Sequence, residues 1–202
     1  TNAVFGLFID NSDTVNISNV TINTNTSVGV LIRDASVSAT LTNVTATGNG
    51  ADGLNADPIP LVTITGGNYS NNSSYGIDLN DITTVNISDA NVSGNDLNGI
   101  DILNSTTVNI TNVTADNNDG SGFEGSNISG TTTITGGTFN NNDDNNVGGG
   151  DGISLTTVGA VVTTGGVTAT GNDPGLFISG AASYTDTDGV SSGNARPQEH
   201  TS

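Results

Sequence analysis

Cysteine, methionine, tryptophan and lysine are absent from the 202 residues, and the only bases are Arg33 and Arg196. Without cysteine there is no disulfide framework, and the redox compartment is left open. Two bases against twenty acids, a formal net charge of -18, offer no positive surface to nucleic-acid phosphates or anionic membranes. Neither is an expected partner. The longest apolar runs, such as Leu7 to Ile9, are far too short to cross a bilayer, so no membrane insertion is expected. No basic segment followed by an apolar one precedes them, and the repeat described below is already running near Thr1. The expectation is a piece of a longer precursor. Only 11% of residues are charged, while Thr, Asn, Ser and Gly abound, a composition shared with disordered polar tracts. The apolar positions recur in register, however, which argues for order.

Glycines 6, 29, 53, 76, 99, 122, 152 and 175 each open a short apolar stretch, and all but one step between them is 23 or 24 residues. One supersecondary unit is therefore stacked about eight times, and the units are numbered here as coils one to eight from their opening glycines. Within a unit, as in Thr84-Val85-Asn86-Ile87-Ser88, Ala90-Asn91-Val92-Ser93 and Gly99-Ile100-Asp101-Ile102, alternation has period two throughout, the mark of a strand. Three short strands with turns make one coil. The inward slots are filled by Val15, Ile17, Val20 and Ile22 in coil one, by Ala39, Leu41, Val44 and Ala46 in coil two, and by Val108, Ile110, Val113 and Ala115 in coil five. Each glycine is followed by a further inward pair, such as Leu7 and Ile9 or Ile77 and Leu79. One coil cannot bury its apolar side alone, so like strands of successive coils must pair at about 4.8 Å into long parallel sheets around one core. Tyr69 and Phe139 share an inward slot opposite Gly67 and Gly137, as a narrow core requires where a ring enters.

A second ladder consists of Asn25, Asn49, Asn72, Asn95, Asn118, Asn142 and Asn172, each in the turn three residues after the third strand's last inward position. Asparagine tolerates turn dihedrals, and a stacked amide can donate to and accept from the next coil, so the expected role is structural. One interval departs from the rule. Gly122 to Gly152 spans 30 residues, and most of the excess lies between Asn142 and Gly152. A polar loop containing Asp143 and Asp144 is expected to bulge there, on what is often the binding face of a solenoid.

Gly-Ile-Asp-Ile at 99 to 102, Val-Asn-Ile-Thr-Asn-Val-Thr-Ala at 108 to 115 and the asparagine ladder resemble the right-handed parallel β-helix of the pectate-lyase-like superfamily. In character the chain is closest to bacterial or archaeal surface and adhesin repeat proteins. The resemblance implies an all-β, single-stranded β-solenoid of about eight coils of 23 residues with three parallel sheets, occupying residues 1–192 and followed by a tail or linker at 193–202. It is specific for fold and weak for activity, because that architecture serves lyases, hydrolases, epimerases, tail fibres and adhesins alike. Lyases of the superfamily use Arg or Lys with calcium, whereas here Arg33 is the only base in the body. The polygalacturonase branch carries Gly-His-Gly and Arg-Ile-Lys, whereas the only histidine here is His200 in the tail.

The best acidic constellation is Asp78, Asp101 and Glu124, each two residues after its repeat glycine and expected to stack outward on adjacent coils, with Asp143 and Asp144 leading into Asp151 nearby. These six side chains are the expected metal or saccharide contacts, with calcium the fitting cation for such oxygen ligands. A glycosidase needs two carboxylates about 5 to 9.5 Å apart, one with a raised pKa, and an exposed ladder gives no reason to expect the desolvation that would raise it. The same outward row begins with Phe8 and Leu31 and ends near Phe177, an expected docking surface for a flanking element or another subunit. The other outward slots carry Thr, Asn and Ser, including Thr40, Thr42, Thr63 and Thr65, a lattice that also resembles the face of β-helical ice-binding proteins. Many outward asparagines, among them Asn16, Asn19, Asn43, Asn104 and Asn127, stand in Asn-x-Ser/Thr sequons. The function expected is an extracellular structural or adhesive module of a larger surface protein or filament, partnered by neighbouring domains or end-to-end copies. A polysaccharide-active enzyme or carbohydrate-binding fragment is the alternative.

Overall fold

A computed structural model describes residues 4–142, 150–190 and 199–201. Among the described residues all regular structure is β, in one continuous parallel arrangement with no helix. The strand after each repeat glycine builds the first sheet: Leu7–Asp10, Val30–Arg33, Leu54–Asp57, Ile77–Asn80, Ile100–Ser105, the first halves of Phe123–Thr135 and Ile153–Thr164, then Leu176–Ser179. The second sheet stacks Thr14–Ser18, Ser38–Thr42, Ile59–Thr65, Ile82–Ser88, Thr107–Thr111, the second halves of the two long strands, and Ser183–Asp186. Glu199–Thr201, in the segment expected as a tail, pairs with Leu176–Ser179 and extends the first sheet.

The third strand of each coil is narrower than the alternation suggests. It contributes one bridging residue per coil, in the row Thr21, Thr45, Asn68, Asn91, Thr114, Thr138 and Thr168. Its short length follows from the turns that close in on both sides. Residues with positive φ precede it at Asn19, Asn43, Asp89 and Asn112 and follow it at Thr24, Asn71, Asn117 and Asn141. A third such row, Asn11, Asp34, Asp81, Asn104, Asn127 and Thr157, turns the chain from the first sheet to the second. Asn and Asp dominate these corners because their short polar side chains tolerate the left-handed region. The dihedral demand therefore falls on the residue before each ladder asparagine, not on the ladder itself.

The core is one stripe running the length of the stack. Val30, Ile32, Leu54, Ile64, Ile77, Leu79, Val85, Ile100, Val108, Ile134, Ile153 and Ile178 are all fully buried, as period-two alternation requires. Tyr69 and Phe139 are fully buried too, and a Cβ added at Gly67 or Gly137 would lie 3.2 or 3.4 Å from the respective ring. Val20 departs from its inward expectation. It is 37% exposed where its counterpart Val44 is fully buried, because coil one has a neighbouring coil on one side only among the described residues.

The asparagine ladder closes one edge of the core. From Asn49 to Asn172 each ladder residue is at least 98% buried. Its backbone N–H and its Nδ2 both donate to Oδ1 of the next coil's asparagine, unbroken from Asn25 to Asn172. The amides also reach across to strand carbonyls, Asn72 to Ala46 at 3.1 Å and Asn172 to Phe139 at 2.8 Å. This geometry explains the repeat glycines. A Cβ at Gly99 would stand 2.7 Å from the Gly122 carbonyl and 2.8 Å from the Asn118 amide, and Gly53, Gly76 and Gly122 are confined in the same way. The 23-residue signature thus marks where backbone, carbonyl and amide meet with no room for a side chain.

Candidate functional site

The outward row of the first sheet runs Phe8, Leu31, Asn55, Asp78, Asp101, Glu124, Ser154, Phe177 in strict register. Asp78, Asp101 and Glu124 therefore stack on consecutive coils, as their spacing implies. The row is not open to solvent on all sides. The residues just before the repeat glycines, Asp52, Tyr75, Asn98, Ser121 and Asp151, stand along its flank, and all but Tyr75 are buried. The bend at each glycine brings the side chains on either side of it onto one surface, so that Asn98 Nδ2 donates to Asp101 Oδ1 and to Glu124 Oε2, both at 2.9 Å. Asn55 Nδ2 likewise donates to Asp78 Oδ2 at 2.7 Å and to Asp52 Oδ2 at 3.2 Å. Asp52 Oδ1 accepts the Tyr75 N–H, and the Ser121 N–H donates to Asn98 Oδ1. Two amides thus clip four carboxylates in two pairs, Asp52 with Asp78 and Asp101 with Glu124.

This flank overturns the expectation of an unshielded ladder. Burial, reinforced by the charges of Asp52, Asp101 and Asp57, pushes the Asp78 carboxyl up to about 7. Asp101 is also raised, by burial first and by Glu124 and Asp52, against the lowering effect of the Asn98 amide. Burial raises the Tyr75 hydroxyl, with Asp101, Asp78, Glu124 and Asp52 adding to it. Two carboxylates on adjacent coils about 4.8 Å apart repel by about 3.5 kcal/mol at an effective dielectric constant of 20, so retaining a proton on one of them relieves a substantial cost. Burial and the neighbouring carboxylates together favour the protonated form of Asp78.

Among the described residues no group of three or more His, Asp or Glu side chains is arranged to hold a metal ion. Asp78, Asp101 and Glu124 form a line, and a calcium site wraps its ligands around a point. Asp151 is buried beside Ser121, whose hydroxyl accepts the Asp151 N–H at 3.3 Å. Asp143 and Asp144 lie outside the described residues.

The expected apolar docking row is divided. Phe8 is 46% exposed, packs against Phe5 at 5.7 Å between ring centroids, and carries the Arg33 guanidinium 5.2 Å above its ring. Leu31 is only 7% exposed, flanked in the row by Phe8 and Asn55, so it offers no surface. Phe177 is half-buried, and its backbone is in register with Ser154 on one side and Glu199 on the other.

A coil of this length, two parallel sheets, a third row of bridges and an internal amide ladder define the architecture, and a family model described as right handed beta helix region matches residues 5–190. The chain belongs to the right-handed β-helix family. No curated protein and no solved structure gives a match. Within this right-handed β-helix, Asp52, Tyr75 and Asn98 are the site residues that strand alternation does not reveal. Their signal in the sequence is a polar residue before the glycine in every coil from three to seven, where Asp52, Tyr75, Asn98, Ser121 and Asp151 stand.

Proposed function

We propose that this β-helix is a rigid structural or adhesive module of a larger extracellular or cell-surface protein or filament, and not a catalyst. The observation that carries the reading is the use made of the polar side chains: they bond from coil to coil. Asn23 Oδ1 accepts from the Thr47 N–H and hydroxyl, Asn140 Oδ1 from those of Thr170, and Asn109 donates to Asn86 at 2.9 Å. The acid row follows the same logic, its carboxylates clipped by Asn55 and Asn98. Such a surface resists bending and presents an even lattice of hydroxyl and amide groups with a high negative charge. Exposed sequon asparagines such as Asn16, Asn43 and Asn127 point away from the core, so glycans carried there would leave the stack intact.

The second reading, a polysaccharide-active or saccharide-binding groove, is favoured by one observation, the half-buried Asp78 with its raised pKa beside Tyr75. One assay separates the two. The purified chain is incubated with acidic and neutral polysaccharides, and retention on the matrix is measured together with release of reducing ends and unsaturated uronate. Retention without new ends is the expected result. Chain cleavage that disappears in Asp78→Asn or Asp101→Asn would overturn the structural reading in favour of the enzyme.

A further inference from the structure

Away from the acid row, the corner between the first and second sheets is interrupted at coil three. In coils two and four this corner is turned by Asp34 and Asp81 with φ of 52° and 55°, and in coil three the same slot holds Pro58. Proline fixes φ near -65° and has no N–H, so it can neither enter the left-handed region nor extend the hydrogen-bonded row. In the inward corner slot below it, coil two places the small Ala35 where coil three has Ile59, and coil two spends one residue more, the exposed Val37, before rejoining the register at Ala39. These departures open a cleft of about 410 Å³ whose floor is Ala35, Pro58, Ile59 and Pro60 and whose rims carry Asp34 and Asp81. The volume lies in the range of sites that hold a small organic group.

The carboxylates around the cleft outnumber the one nearby base, so its field is negative. Asp57, adjoining Pro58, is raised by burial and by the charges of Asp81 and Asp34, against the lowering effects of the Asn80 side chain and Arg33. Arg33, the one base among the described residues, is held over the Phe8 ring and is not part of the lining. An aliphatic floor between two exposed carboxylates complements a side chain with an apolar stem and a cationic head.

We propose that this cleft is a docking site for a lysine or arginine side chain presented by a partner protein. The stem lies on Pro58, Ile59 and Pro60, and the head sits between Asp34 and Asp81. The inference does not depend on whether the acid row is structural or catalytic, because the two surfaces lie on different corners of the coil.

The test is an NMR titration of the isotope-labelled full chain with a pentalysine peptide, Nα-acetyl-lysine amide and, as neutral control, Nα-acetyl-norleucine amide. Saturable amide shifts confined to Ala35, Ser36, Ile59, Asp81 and Thr83 are expected with both lysine probes. The double variant Asp34→Asn/Asp81→Asn keeps the fold, since Asn already occupies this slot at Asn11, Asn104 and Asn127, and should weaken pentalysine binding at the corner at least about fivefold. Equal shifts along Asp78 to Glu124 would show diffuse charge attraction and overturn the proposal. So would undiminished binding by the double variant, an equal response to the norleucine probe, or no response to any probe.

Discussion

The backbone N–H and the Nδ2 of Asn72 both donate to one atom, Oδ1 of Asn95, at 3.0 and 3.2 Å, and Asn95 repeats the arrangement with Asn118. Each ladder residue is therefore acceptor to the coil before it and donor to the coil after it. Asn95→Ala strands two buried donors of Asn72 and removes the bond to the Val92 carbonyl, and should lower stability by about 2–4 kcal/mol. Chemical denaturation checks this. An unchanged midpoint would mean that water replaces the amide without cost.

The repeat glycines should tolerate no side chain. Gly99→Ala forces a methyl against the Gly122 carbonyl and the Asn118 amide and should cost more than about 3 kcal/mol. Gly166→Ala, where no atom lies within 4 Å of the new Cβ, should cost only about 1 kcal/mol, from its φ of +73°. Comparable losses in the two variants would refute the steric account.

Stability should fall as pH rises. Asp78, at about 7 in the fold, lies well above its unfolded value of 3.8, so between these limits the folded state binds more protons than the unfolded one. Its contribution is fully present below the unfolded pKa and is lost as pH climbs through about 7. Asp101, raised in the same sense, adds to the trend. Asp78→Asn should be more stable than the parent at pH 8 and should flatten the profile between pH 5 and 8, measured as unfolding midpoints across buffers. A parent whose stability increases over that range would contradict this.

Among the described residues three buried hydroxyls lack partners, those of Tyr69, Ser105 and Thr132, and two of them, Tyr69 and Thr132, stand in inward slots that elsewhere hold apolar residues. Each slot already holds the apolar version elsewhere in the stack: Phe139 stands in the Tyr69 slot, and Val108 and Val161 flank Thr132 in register. Tyr69→Phe and Thr132→Val should each raise stability by up to about 1 kcal/mol, since the desolvation of an unpaired hydroxyl is removed with little change in shape. Differential scanning calorimetry reads the effect, and a loss in either variant would reveal a hidden partner for the hydroxyl.

Sequence periodicity alone fixes much of this fold, because in a solenoid every long-range contact is also a repeat interval. Val30 pairs with Leu54 and Asp78 with Asp101 at the spacing at which they recur along the chain. The asparagine ladder was legible for the same reason. Corners were less so: alternation assigns faces within a strand, and it says nothing of how a bend at glycine swings Asn98 beside Asp101. The flank of Asp52, Tyr75 and Asn98 was hidden on that account, and with it the burial that raises Asp78. Leu31 and Val20 show the other limit, since the neighbours that flank a residue among the described coils decide exposure after alternation has chosen the face.

Asn142 donates to Asn172 at 2.8 and 3.2 Å across 30 residues, as closely as Asn118 does to Asn142 across 24. The seam is as tight on the far side of the extra residues as before them, so chain length at that turn is uncoupled from the stacking of the core. The stretch between Asn142 and Gly150 is in effect a splice point. Foreign sequence grafted there would be held at a defined height on the column, and an engineer or a lineage could vary what is displayed while leaving the column itself unaltered.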